Sequence, residues 1–229
     1  MLRIIFFSFF VFLFSLNLVD KSTVVVKKDK LLAIPPTAFE MFHQMQLEGT
    51  VNFKAFQQAL EGYWKIKERK RDVLTLIDFS LPSTQDRLFV FDMKQHRLLY
   101  SSLVAHGKNS GENYATSFSN EYGSYKSSLG FFLTESTYQG KNGYSLILNG
   151  LEKGINDRAR ERAIVVHGAS YADPGVIRQG GRLGRSLGCP ALPSTLSRPI
   201  IDAIKGGSVM FIYAGRPDYL VKSSILKQV

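Results

Sequence analysis

Of the 229 residues only one is a cysteine, Cys189, one a tryptophan, Trp64, and four are histidines. A single cysteine excludes an intramolecular disulfide, so no covalent staple holds this chain. His43, His96, His106 and His167 are scattered, with no Asp/Glu cluster at ligand spacing, which argues against a bound metal. No glycine-rich loop ending in Lys-Ser/Thr is present to cradle a phosphate, and no cofactor is expected. Internal repeats and low-complexity tracts are lacking too. The longest apolar run, Ile4 to Val19, is broken by Ser8, Ser15 and Asn17 and falls short of the roughly 20 residues that a spanning helix needs.

What is present fits a globular protein: 45% of the residues are hydrophobic and 21% charged, enough apolar surface to offset chain entropy around one main core. The run behind Arg3, residues 1–20, reads as a signal peptide for export to the periplasm or cell wall; kept uncleaved, it would associate the protein with the membrane. Lys21, Lys27, Lys28 and Lys30 follow it, where translocation disfavours positive charge, and no small-x-small cleavage site is evident. A net charge of +10 asks for a polyanionic partner, and export disfavours nucleic acid, leaving acidic lipid or a carboxylate-rich wall. The densest basic stretch, Lys65 to Arg71, follows a helical pattern and reads as a solvated helix end. The sequence sets no oligomeric state.

Two patterns divide the rest. Over residues 35–72, Pro35-Pro36-Thr37 starts one helix and Asn52 caps a second, whose stripe is Phe53, Phe56, Ala59, Leu60, Tyr63 and Trp64. Such stripes are core contacts far more often than ligand boxes, so both helices are expected to form a small N-terminal pack. Over residues 73–229, short β-type runs follow: Leu74 to Phe79, Arg87 to Asp92, Arg97 to Val104, Gly130 to Thr134, Tyr144 to Leu148, Ala163 to Val166 and Ser208 to Tyr213. Residues 93–96 suggest a hairpin, and Ser197-Arg198-Pro199 opens a short helix closed by Gly206-Gly207. Strands this short and numerous predict a mostly β sandwich or barrel.

In an oxidising compartment an unpaired cysteine is buried and inert, bridged to another chain, or functional. Its surroundings favour the last. A strand delivers His167, Gly168 turns the chain, and a glycine-rich connection through Gly180, Gly181 and Gly184 leads to Arg185-Ser186-Leu187-Gly188-Cys189-Pro190. A thiol with a pKa of roughly 8.5 is mostly protonated near neutrality, so a cysteine nucleophile needs an imidazole, and His167 is the nearest in sequence. Pro190 pushes Cys189 towards extended geometry and Pro193 opposes a long helix after it, so no helix dipole is expected to help. Gly188 leaves nearby peptide N–H groups accessible for an oxyanion hole.

His167-Gly168 followed by Ser186-x-Gly188-Cys189 resembles the murein L,D-transpeptidase catalytic domain family, whose usual pattern is His-Gly and then Ser-His-Gly-Cys. Ser128-Leu129-Gly130-Phe131-Phe132, Val104-Ala105-His106-Gly107, Phe118-Ser119-Asn120 and Gly184 to Pro190 resemble a divergent branch of it, covering about Leu74 to Tyr213. The resemblance implies a cysteine acyl transferase acting on peptidoglycan stem peptides, with Cys189 as the nucleophile, His167 as the base and amides near Gly188 and Cys189 as oxyanion donors. Water in place of an acceptor amine would make the same site a carboxypeptidase. A non-catalytic wall-binding module is the reading from another class. A papain-like amidase is disfavoured, because that family places cysteine before histidine. Leu187 stands where the motif has histidine, and Pro190-Ala191 where a hydrophobic-Arg pair often follows. Arg185 is the candidate to bind a substrate carboxylate in its place. His106 is a candidate lining residue and Ser186 a candidate loop-orienting one; Asn120 and Tyr144 have no motif behind them.

Overall fold

The computed structural model describes residues 36–227; the expected export signal lies outside them. Helix α1 (Ala38–Gln44) starts at Thr37, whose hydroxyl accepts the Glu40 N–H while the Glu40 carboxylate accepts the Thr37 N–H, a reciprocal capping box. Helix α2 (Phe53–Lys65) is capped as expected by the Asn52 side chain, which accepts from the N–H groups of Lys54 and Ala55. Its buried stripe of Ala55, Phe56, Ala59, Leu60 and Tyr63 meets the sheet through edge-to-face contact of Phe56 with Phe91, rings 5.3 Å apart.

The strands are β1 (Val73–Asp78), β2 (Leu88–Asp92), β3 (Arg97–Ser102), β4 (Gly130–Gly140), β5 (Gly143–Gly150), β6 (Val165–Gly168), β7 (Ala191–Leu192) and β8 (Val209–Tyr213). They form one sheet in the order β3-β2-β1-β8-β4-β5-β6-β7. Beyond β3 the chain continues to Ala105, which bridges Ala191 of β7. The two edge strands thus meet, and the sheet is a nearly closed barrel rather than a two-sheet sandwich. Strands β1, β2 and β8 are buried almost throughout, and with the helices they enclose one large apolar cluster.

Several elements depart from the pattern read off the sequence. Strand β4 runs six residues past Thr134, across an irregularity in its pairing, to form a long hairpin with β5 whose tip is exposed; half-buried periodicity is lost there, so the alternation signal vanishes. Strand β6 begins at Val165 and contains His167. Helix α4 (Ser194–Ile204) begins directly after Pro193, three residues earlier than expected, with Pro199 inside it. Pro193 therefore does not prevent a helix. It occupies the N-cap, where no N–H is needed, and Asp173 supplies the missing cap by accepting the Ser194 N–H at 2.7 Å. Part of the glycine-rich connection is helix α3 (Pro174–Gly180), ended by Gly181 in the left-handed conformation. Helix α5 (Pro217–Lys222) follows the last strand. Among the described residues no helix is long and apolar enough to cross a membrane.

Gly62 joins the helices to the barrel. A Cβ at this position would lie 2.0 Å from Cζ of Phe131, a fully buried ring stacked on Phe211. Propensity and packing thus oppose each other at one residue. Alanine favours an isolated helix over glycine by about 1 kcal/mol, but overpacking costs about 1–3 kcal/mol. Gly62→Ala is therefore expected to lower the unfolding free energy measured by denaturant titration, against its helix propensity.

Candidate active site

Strand β6 lies between two neighbours, antiparallel to β5 with Ser145 opposite His167 and Ile147 opposite Val165, and parallel to β7 with His167 opposite Ala191. Ala191 is held from both sides, because its backbone also exchanges hydrogen bonds with Ala105. Cys189, two residues before Ala191, consequently lands beside the start of β6. Its sulfur accepts the Val165 N–H at 3.5 Å and donates to the Ala163 carbonyl at 3.6 Å. Ala163 reaches that place through a left-handed turn, with φ of 53°.

The loop before the cysteine is fixed by backbone and serine contacts. The Ser186 N–H donates to His106 O and the Lys108 N–H to Ser186 O. The Ser186 hydroxyl donates to Cys189 O at 2.7 Å and accepts the Gly188 N–H at 3.0 Å. The Ser127 hydroxyl holds Gly188 O at 3.0 Å. Gly188 has φ of 130°, and a Cβ there would sit 3.0 Å from both Lys126 O and Ile164 Cδ1, so both backbone and space require glycine. The Gly188 N–H, an expected oxyanion donor, is engaged by Ser186. Among the described residues the Cys189 N–H makes no hydrogen bond to another residue.

His167 donates from Nδ1 to its neighbour's carbonyl, Gly168 O, at 2.9 Å. A carbonyl only accepts, so Nδ1 carries the proton and Nε2 keeps a free lone pair. Burial pulls the imidazole pKa below its ordinary value against the opposing effect of Gly168 O. Burial likewise pushes the Cys189 thiol up, opposed by the Val165 N–H and by Arg162. Both side chains are buried, they share no hydrogen bond, and burial disfavours the charged form of each. Val165, His167, Ser145, Ile147 and Tyr138 share one face of the sheet by register. On that face a hollow of about 250 Å³, lined by Tyr138, Ile147, Arg160, Ala163, Ile164 and Val165, adjoins both hydrogen-bond partners of the sulfur.

The remaining expected residues sit differently. Arg185 Nη1 donates to Lys108 O, Gly111 O and the Glu112 carboxylate, the last at 2.6 Å, and so ties down the 108–112 loop. His106 is buried, with Nδ1 accepting from Arg87 at 2.9 Å and Nε2 donating to Gly111 O at 3.3 Å. Both ring nitrogens are thus spent within the protein rather than lining a cleft. Ser186 orients the loop, not the imidazole. Asn120 bridges Asp157 and the Arg158 N–H, and Tyr144 donates to Asp202. Leu187 is 61% exposed at the loop tip. Two groups escaped the sequence reading: Ser127, and Arg162, whose guanidinium lies against Gly188. The alternation Arg158-x-Arg160-x-Arg162 leading into the His167 strand was the available signal. Among the described residues no group of three His, Cys, Asp or Glu gathers as a metal site.

A nearly closed β barrel that places one cysteine beside a histidine-bearing strand defines a class of cysteine–histidine β domains. The chain belongs to the L,D-transpeptidase catalytic domain family, whose model matches residues 47–213. Comparison with curated protein sequences returns no match. Among solved structures it is similar to an L,D-transpeptidase from Mycobacterium smegmatis, with 13% identity over 62% of this chain and 59% of that one and a TM-score of 0.39. It is also similar to the helical cell shape determining protein Pgp2 from Campylobacter jejuni, with 12% identity over 70% of this chain and 56% of that one and a TM-score of 0.42. An L,D-transpeptidase from Stackebrandtia nassauensis shows 16% identity over 78% of this chain and 76% of that one, with a TM-score of 0.37. The chain thus spans about three-fifths of the length of the Mycobacterium smegmatis protein.

Burial, and then the neighbouring Arg87 charge, pulls the His106 pKa from the ordinary 6.5 down to about 4. The unfolded chain therefore binds the extra proton first: stability is complete above pH 6.5 and falls as pH drops towards about 4, with His167 adding in the same direction. His106→Asn, which keeps an acceptor for Arg87, is expected to flatten that slope in denaturation curves taken across the window. A slope equal to that of the unmodified protein would refute this assignment.

Proposed function

We propose that the chain is a cysteine acyl transferase acting on peptidoglycan stem peptides, an L,D-transpeptidase exported by its N-terminal segment, residues 1–20, to work at the cell wall with residues 73–229 as its catalytic domain. The observation that carries this reading is the combination of a buried Cys189 thiol, a His167 with Nε2 free, and an otherwise unclaimed Cys189 N–H, in a chain of this family.

The donor stem lies in the hollow bounded by Tyr138, Ile147 and Arg160, bringing its third residue's carbonyl to the sulfur. The thiol proton passes to His167 Nε2, and the thiolate attacks that carbonyl carbon to form a tetrahedral intermediate. The negative charge on its oxygen falls to the Cys189 N–H. The bond to the fourth residue's nitrogen then breaks as His167 gives its proton to the leaving amine, and a thioester remains. An acceptor amine from a neighbouring stem attacks the thioester, loses a proton to His167 Nε2 and leaves a new amide; the same nitrogen returns a proton to the departing sulfur. Ser186 and Ser127 keep the loop in place through both halves.

Incubation with purified disaccharide tetrapeptides, followed by mass analysis, is expected to yield cross-linked dimers lacking one terminal residue. Trimmed tripeptides alone would identify water as the acceptor and the protein as a carboxypeptidase. Cys189→Ala abolishes both products. His167→Ala, which removes the proton carrier, lowers the rate by about 10²–10⁴-fold. Absence of both products from the folded, unmodified protein would favour a wall-binding module without chemistry.

A further inference from the structure

Three arginines stand in alternation ahead of strand β6, and two are paired: Arg158 with Glu121 at 2.8 Å and Arg160 with Glu135 at 2.7 Å. Arg162 is different. Its Nη1 donates to Ser119 O at 2.7 Å and to the Ser128 hydroxyl at 2.6 Å, and its Nη2 to Lys126 O at 2.7 Å and the Ser124 hydroxyl at 3.3 Å. All four partners are neutral. Among the described residues no carboxylate forms an ion pair with it, although it is half-buried.

A desolvated guanidinium without a counter-ion is costly, because neutral acceptors satisfy its hydrogen bonds but not its charge. Its placement identifies the missing anion. Nη2 would stand 3.5 Å from a Cβ at Gly188, and Lys126 O, which that nitrogen holds, only 3.0 Å. The guanidinium thus backs the peptide unit immediately before the nucleophile. Cys189 and then Glu121 are the acidic groups whose ionised forms act on it. Tyr171, in the short 3-10 turn after β6, is a further ionisable group near the sulfur. Burial pushes Tyr171 up to about 12, so it stays neutral and offers no counter-charge.

We propose that Arg162 is a positioning residue for the nucleophile: it locks the 119–128 loop behind Gly188 and presents the counter-charge to the Cys189 sulfur once the thiol proton has moved to His167. With every Nη hydrogen engaged by the chain, the guanidinium acts on the sulfur through its charge and through the loop it fixes. The inference rests on the reading of Cys189 as nucleophile. It adds an answer to how a buried thiol ionises without a helix dipole.

The test is the pH profile of Cys189 alkylation by iodoacetamide in the full chain, read by intact mass. Arg162→Met is expected to shift the midpoint upward and to slow alkylation near neutral pH about tenfold, since a one-unit rise in a thiol pKa removes nine-tenths of a small thiolate population. Arg162→Lys, which keeps the charge and loses the fork, is expected to fall between that variant and the unmodified protein. Should Arg162→Met fail to fold, Arg162→Lys and Ser128→Ala, which frees one Nη1 bond, decide the matter by smaller upward shifts. Unchanged midpoints in the folded variants would overturn the proposal. Acylation of the unmodified protein by a penem, run in parallel, reports separately on Cys189 as nucleophile. A reactive Cys189 with an Arg162-independent profile sinks this inference alone, whereas no penem adduct sinks the reading beneath it.

Discussion

The structure turns on the backbone of Ala191, which is paired on one side with His167 and on the other with Ala105. That single residue closes the barrel between its edge strands and sets the register of everything just before it. Cys189 cannot slide along β6 without breaking both sets of bonds, so its sulfur stays against the Val165 N–H and the Ala163 carbonyl. A strand shifted by one residue would turn the thiol to the opposite face, away from the Val165 N–H and the Ala163 carbonyl. Closure of the fold and placement of the Cys189 thiol are therefore one constraint.

Around that junction the electrostatics resist ionisation. Burial raises the thiol and lowers the imidazole, so each group alone favours its neutral form. Against this stand the Val165 N–H and the Arg162 charge, while Gly168 O fixes the imidazole proton on Nδ1 and leaves Nε2 as the basic nitrogen. Under the proposed function, the thiol becomes nucleophilic when its proton moves to the imidazole. A second buried network, Arg87 with His106, holds the 106–111 segment onto which the Ser186 loop is pinned. The geometry of the loop is thus carried by partners on separate stretches of chain.

Much of this was legible in the residues. Thr37 and Asn52 announced their helices because caps are local, and β1, β2 and β8 announced themselves because buried strands carry dense apolar runs. Cys189 and His167 stood out because a thiol and an imidazole in a glycine-framed order have few other uses. What stayed hidden was non-local. The cap of α4 comes from Asp173, across the intervening loop, so Pro193 looked like a barrier. Arg185, just before the cysteine, donates to the 108–112 loop, and the His106 ring is held by Arg87 and Gly111, contacts that spacing cannot reveal. Arg162 is indistinguishable in sequence from Arg158 and Arg160, since only the fold separates it from its two paired neighbours.

The central claim is that Cys189 carries the acyl group of a stem peptide. Acid-quenching the full chain during turnover of disaccharide tetrapeptides and mapping the covalent adduct by mass tests it directly. A disaccharide tripeptide bound through a thioester to the peptide containing Cys189 is the predicted result. Turnover with no adduct on Cys189, or with the adduct on another residue, would contradict it.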